Sequence, residues 1–434
     1  MKLFLDVTRI ATRIIGSAPT GIDRVEYAYA TELLRQHKYL NTVTVITTPV
    51  FSGALRGSVT EDILSRVALA WRLDTLPRQD NVYRELKRHL ETPLDWQRAH
   101  SFRVRGLLPV PRAMKQVYYP VRSLIRASTR LHRRLKLSKS QSRCYFNGSH
   151  TQLEKFERFL WTRSAGMKCA FFIHDLIPID YPEFVSPQSP GRHEGRLRTV
   201  SALGSGILVN SDYTRRSVET YLSAHDLPVP PIKVLPLGVS DWFYKARDLD
   251  PPRPAVPYFV AVSTIEPRKN LLFLFAVWRR LIEQLGDNAP RLVVVGHRGW
   301  ENENVIDILE RSRSLAPFLV EATDLTDSGL ASLLKGAQAL VAPSIVEGFG
   351  LPVAEALSLG VPVIASDIPA HREVADKCAV YIDTVDGMSW LQTVKEFSSP
   401  GGRGGELRSA IKEFYKPRSH AEHVAEAVSF LSSF

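Results

Sequence analysis

Short apolar runs alternate with amphipathic stretches along most of the chain. Residues 2–7, 42–49, 144–147, 168–174, 206–210 and 233–237 read as buried strands. Between the first two, Ile22, Val25, Tyr29, Ala30 and Leu33 recur at helical spacing and predict a helix over 22–34. The same rhythm resumes at 258–262 and continues through 292–296, 318–320, 337–342, 361–365 and 380–383, with an apolar helix over 271–285. Val424, Ala427, Val428 and Leu431 then mark one face of a last helix over 420–434. Strands alternating with helices predict α/β architecture with parallel sheets. Residues 246–257 are charged, proline-rich and aperiodic, so the pattern predicts a linker there, between a Rossmann-like domain over 1–245 and a second over 258–415.

Residues 55–140 break the rhythm and are expected to form a basic helical insertion in the first domain. From Trp96 through Leu153 there is no Asp or Glu, while thirteen Lys and Arg fall between Arg98 and Arg143. Val117, Tyr118, Val121, Leu124, Ile125, Leu131 and Leu135 are interleaved at roughly helical spacing, a pattern suited to the anionic inner-membrane surface. A solvated insertion is the second reading. A nucleic-acid patch ranks last, since stacking aromatics are few, and no nucleic acid is expected as a partner.

The chain has 434 residues, 44% hydrophobic and 23% charged, with a net charge of +11, which suits a two-domain protein with an anionic partner. Cys144, Cys169 and Cys378 are far apart, which speaks against a disulfide framework or a zinc site. Asp6 and Arg9 interrupt the first apolar segment, and no run approaches membrane-span length. A cytoplasmic protein, at most peripheral on the membrane, is expected.

Residues 341–373 carry the densest chemistry. An apolar strand ends at Pro343-Ser344; Glu347, Gly348, Phe349, Gly350 and Leu351 form a turn; and Pro352 stands near the start of an apolar helix that Gly360 ends. Backbone N–H groups at 348–351 and the helix dipole suit an anion. Glu355, placed in the first helical turn, and Glu347, on the loop rim, would repel phosphate and so suit hydroxyls flanking it. A sugar nucleotide has that arrangement.

Other loops fall at strand ends. Gly21, Asp23 and Arg24 follow the first strand, and His174-Asp175 follows the run at 168–173. Ser263 to Asn270 puts Thr264 at a strand exit and two cations, Arg268 and Lys269, at a helix start, while Arg298 follows the next strand.

Glu347 and Glu355 within EGFGLPVAEALSLGVPVIAS resemble the donor-site signature of glycosyltransferase family 4, retaining enzymes of the GT-B fold. The EPRKN run and the Gly21-Ile22-Asp23-Arg24 loop are similar to stretches of the same family. The resemblance implies two Rossmann-like domains facing a central cleft, with residues 416–434 crossing back to the first. It implies that Glu347 contacts the donor sugar, Glu355 the ribose, and Arg268 and Lys269 the diphosphate. Gly348 to Leu351, Thr264, Ser344 and Arg298 complete the expected donor site, and Gly21, Asp23, Arg24 and Asp175 the acceptor or cleft side. HDLIPIDYPE resembles bacterial mannosyltransferases, in which the motif's histidine faces the donor sugar; this makes His174 a catalytic candidate beside Glu347, Arg268 and Lys269.

The expected reaction is metal-independent transfer from GDP-mannose to a lipid-linked or polysaccharide glycan of the bacterial surface. UDP- and dTDP-sugars remain alternatives, as does a catalytically silent subunit supporting partner glycosyltransferases. Epimerases and pyridoxal-dependent phosphorylases of the same fold do not account for the EPRKN and EGFGLP runs together.

Overall fold

The computed structural model describes residues 1–13, 19–35, 41–49, 51–98, 100–106, 121–137, 142–245, 248–399 and 403–434. They form two compact units, one of Met1–Trp71, Pro109–Gly238 and Arg418–Phe434, the other of Arg72–Leu108 and Val239–Pro417. In chain order the strands are β1 (Lys2–Asp6), β2 (Asn41–Thr47), β3 (Ser52–Ala54), β4 (Phe102–Arg105), β5 (Arg143–Asn147), β6 (Lys168–Ile173), β7 (Gly206–Val209) and β8 (Ile232–Val234). There follow β9 (Tyr258–Val262), β10 (Arg291–Val295), β11 (Leu319–Thr323), β12 (Leu340–Ala342), β13 (Val363–Ser366) and β14 (Val380–Ile382).

The first unit holds a sheet of order β3-β2-β1-β5-β6-β7-β8, parallel except for the antiparallel edge strand β3. The second holds β14-β13-β12-β9-β10-β11-β4, parallel throughout. Every residue of β1, β7, β10 and β11 is buried, which is why these runs lack polar alternation: helices cover both faces. In each sheet the first strand of the Rossmann pattern pairs on both sides, β1 with β2 and β5, β9 with β10 and β12. Strand order reverses at those two points, where open α/β sheets bind ligands beyond their carboxyl ends.

The stretch expected as one insertion is divided between the units. The Gly57–Ala70 and Val121–Leu137 helices belong to the first, whereas the Asn81–Leu90 helix and β4 belong to the second, where β4 extends the sheet beside β11. The fully buried Arg291 fixes this addition, its guanidinium donating to the carbonyls of His89 and Leu90 at 3.1 Å and of Pro93 at 2.9 Å. The expected linker is also pinned. Asp250 N–H donates to Ser332 Oγ at 3.2 Å, Tyr83 hydroxyl donates to the Asp250 carbonyl, and Ala255 N–H to the Leu90 carbonyl at 3.0 Å. Proline breaks the periodicity, yet fixed φ angles leave well-placed backbone groups for such donors.

The His420–Leu431 helix lies in the first unit, packed on the Gly21–Arg35 helix, with the His423 ring 5.3 Å from that of Tyr29. A Ser419–Glu422 capping box starts it. No described helix is long and apolar enough to cross a membrane.

Candidate active site

The site in the second unit is built at its switch point, from the loops leaving β9 and β12. The β9 exit is zipped to the β10 exit: Ser263 N–H bonds the Val295 carbonyl at 2.9 Å, and Ile265 N–H the His297 carbonyl at 2.8 Å. Gly296, at φ +154°, permits this, because a Cβ there would lie 1.8 Å from the Ser263 carbonyl oxygen. The chain then makes one 3-10 turn, Pro267–Lys269, and passes through left-handed Asn270 into the Leu271–Leu285 helix. Arg268 and Lys269 are thereby displayed beside the β12 loop, and the Ile345 N–H bonds the Arg268 carbonyl at 2.8 Å.

Glu347 joins the two loops. Its Oε2 accepts from Arg268 Nη1 at 2.7 Å, and its Oε1 accepts from Lys269 Nζ and, at 2.7 Å, from Ser344 Oγ. Arg268 also meets Glu266 at 2.5 Å and the Val346 carbonyl at 3.1 Å. Burial disfavours ionising Glu347, but Lys269 and Arg268 outweigh it and hold the carboxyl far below its usual range. Burial and neighbouring Arg268 lower Lys269, opposed by Glu347, and burial raises Glu266 against the pull of Arg268. The expected loop-rim carboxylate is thus largely enclosed, an ionised anion locked to two cations.

Gly350, at φ +95°, caps the Leu351–Ser358 helix, which starts with Pro352 as the sequence predicts. Glu355 falls at the fifth helical position rather than in the first turn, and is buried. Phe349 and Gly348 are buried in the turn, and Leu351 is half-buried. The sequence reading missed two residues. Glu266 lies within EPRKN, where the cations carry the signal, and His371, a lone histidine, carries no spacing signal. His371 is buried beneath Gly350, its Nδ1 3.0 Å from the Ser366 carbonyl; burial lowers its pKa and Glu347 opposes the shift.

Arg298, like Arg268, is engaged by carboxylates of its own unit. It binds Glu321 at 2.8 and 2.7 Å and also pairs with Glu310, contacts that raise its pKa further. Thr264 stands at the β9 exit, half-buried beside Gly299.

In the first unit, His174 follows β6. Its Nε2 is 2.8 Å from the Gly148 carbonyl, which can only accept, so Nε2 carries the proton and Nδ1 is the open acceptor. Burial pushes its pKa down to about 4 despite that bond, so the ring is neutral. Asp175 accepts from the Ile177 N–H at 3.2 Å and organises its own turn. Asp23 likewise accepts from Arg9 Nε at 2.6 Å and from the Thr20 N–H at 2.8 Å, closing the loop at Gly21. Arg24 is half-buried in the same helical turn, its N–H on the Thr20 carbonyl at 3.1 Å.

Among the described residues, no group of three or more His, Cys, Asp or Glu stands in position to hold a metal.

Comparison with known proteins bears on this arrangement. Residues 256–397 match the family described as glycosyl transferases group 1. The serotype-specific mannosyltransferase WbdA of Escherichia coli is 28% identical over 235 residues, 50% of this chain and 28% of that protein. The O-antigen chain mannosyltransferase RfbU of Salmonella typhimurium is 33% identical over 163 residues, 36% of this chain and 41% of its own length. The chain thus spans well under half of these relatives. Among solved structures, the Anabaena protein HepE in complex with UDP covers the whole chain with a TM-score of 0.59 at 13% identity. Sucrose-phosphate synthase of Thermosynechococcus elongatus covers it with 0.61 at 14%. Two parallel-sheet units of this kind are the fold of these structural neighbours, GT-B, and residues 256–397 match the group 1 glycosyltransferase family.

Proposed function

We propose that the chain is a retaining, metal-independent glycosyltransferase that moves mannose from GDP-mannose to a lipid-linked or polysaccharide glycan. The observation that carries this reading is the cluster of Glu347, Arg268, Lys269 and Ser344 beside the Gly350 helix start at the switch point. The diphosphate would lie against the backbone N–H groups of 348–351 with Arg268 and Lys269 turned to it. These fixed cations supply the charge stabilisation that a metal gives elsewhere. Glu347, released from them, would accept from sugar hydroxyls, and Glu355 from the ribose.

In the reaction, the bond from C1 to the diphosphate oxygen breaks as the acceptor oxygen attacks from the same face. The acceptor's proton passes to the departing phosphate oxygen, whose charge Arg268 and Lys269 hold. The names of WbdA and RfbU favour mannose and O-antigen-type acceptors. HepE, solved with UDP, keeps a uridine donor as the second reading.

Thermal shift with GDP-, UDP- and dTDP-sugars, with and without EDTA, tests the donor. The expected result is a rise in midpoint with GDP-mannose that survives EDTA and vanishes in Arg268→Ala. No shift with any sugar nucleotide would leave a catalytically silent subunit as the better reading.

A further inference from the structure

The first unit contains a large cavity that the donor chemistry does not use. It measures about 1230 Å³ and lies among the β2–β3 turn, the Val121–Leu137 helix and the 157–165 segment. Cavities that hold whole small-molecule ligands are typically about 300–1,000 Å³. The helix is clamped to β3 by close contact, since a Cβ at Gly53 would lie 2.7 Å from Ala127 Cβ. Its next two turns then form one wall of the cavity.

That wall has two chemistries side by side. Leu131 and Leu135, four residues apart, form an apolar stripe, continued across the cavity by Phe51 and Trp161. Arg133, Lys136, Arg143 and Arg158 line the same space against one carboxylate, Glu157. Arg143 is committed to the carbonyls of Leu135 and Ala165. Arg133, Lys136 and Arg158 have no side-chain partner among the described residues. The Trp161 indole N–H, screened from solvent, also has no acceptor among them. Arg133 and Lys136 are exposed and Arg158 half-buried, while Leu131, Leu135 and Trp161 continue the unit's core; three cations and one unused donor beside that apolar edge fit a ligand with an anionic head and an apolar body.

This differs from the flat basic surface expected for 98–143. The near end of that run is spent inside the second unit, where Arg103 meets the buried Glu321 at 3.4 Å and Arg98 meets Asp95 at 3.8 Å. We propose that the cavity binds the phosphate head of a single amphipathic lipid, with Arg133, Lys136 and Arg158 on the phosphate and the first part of the tail along Leu131, Leu135 and Trp161. The lipid is either a membrane phospholipid or an isoprenoid phosphate; the head-group chemistry is the same. The proposal does not depend on the sugar-nucleotide reading and can fail separately from it.

The test uses the full chain without sugar nucleotide. Geranylgeranyl phosphate, vesicles of phosphatidylglycerol, vesicles of phosphatidylcholine and inorganic pyrophosphate are each titrated against tryptophan emission, and vesicles are also followed by flotation. Saturable binding of the prenyl phosphate or of phosphatidylglycerol is expected, weakened at least tenfold in Arg133→Glu/Lys136→Glu and unchanged in Arg313→Glu/Arg311→Glu in the other unit. Trp161→Phe should abolish the emission change while flotation persists. Preference between the two lipids identifies the source. Equal weakening by both charge-reversed pairs, equal affinity for pyrophosphate, equal binding to phosphatidylcholine, or no binding to either anionic lipid overturns the proposal. Circular dichroism of each variant separates lost binding from lost folding.

Discussion

The two sheets are wound alike, but the side chains at their switch points differ in charge state. Both reverse strand order beside their first strand, β1 or β9, yet the groups gathered there differ in kind. In the second unit Glu347 is held ionised between Lys269 and Arg268. In the first, burial pushes the His174 and His193 rings down to about 4, and burial and Asp6 push Glu26 up to about 8. Near neutral pH those groups are uncharged. An ionised cluster suits a diphosphate; neutral rings suit hydroxyls. One topology thus carries two side-chain chemistries.

The contrast is broken most severely at Glu347. Glu347→Gln takes the counter-charge from Lys269 and one of the two from Arg268, and leaves a neutral amide oxygen where an anionic acceptor for sugar hydroxyls stood, so the transfer rate should fall by ~10³-fold, assayed by product formation. A loss below about tenfold would place the main catalytic contact elsewhere. Arg268→Ala should weaken sugar-nucleotide binding by about 10–100-fold in calorimetry, with a smaller effect on the folded state because Glu347 keeps Lys269.

At the first unit, His174→Gln should slow transfer by roughly tenfold to a hundredfold. The rate profile between pH 6 and 8 should keep its shape, since the wild-type ring is already neutral throughout. A new inflection near pH 6.5 in the wild type would contradict the neutral ring. The same burial makes this unit sensitive to acid. His174, His193 and His423 bind protons less readily when folded, each at about 4, so the stability they contribute is present above about 6.5 and lost as pH falls towards 4. Glu26 works in reverse, losing stability as pH rises towards 8. The melting midpoint should drop by at least about 5 °C between pH 7 and pH 5. Smallest is Gly350→Ala, which forces φ +95° on a side chain whose Cβ lies 3.1 Å from His371; a loss of about 1–2 kcal/mol in urea unfolding is expected.

Much of the second unit was legible because its signals are local. Pro352 near a helix start, Gly350 before it and Gly360 after it fix a loop and a helix within a dozen residues. Arg268 and Lys269 were readable as loop cations for the same reason. Pairings across long separations were not. Phe102-Arg103-Val104-Arg105 is a strand only because β11, over two hundred residues later, offers an edge and Glu321 a counter-charge. Read alone, it is part of a basic run. The Arg298–Glu321 pair is hidden for the same reason, Glu321 being one more residue in an apolar strand. The aperiodic 246–257 stretch reads as a linker because the hydrogen bonds of Asp250 to Ser332 and of Arg253 to Glu91 leave no mark in its own composition.

The division of the chain also orders its synthesis. The polypeptide passes from one unit to the other after Trp71, Leu108, Gly238 and Pro417. A nascent chain released as far as residue 245 would expose β4 with no β11 to join, and would lack the helix that covers Tyr29. The second unit can close once residue 417 has left the ribosome, whereas the first must wait for 418–434 although it began earlier. The unit begun first is thus closed after the other.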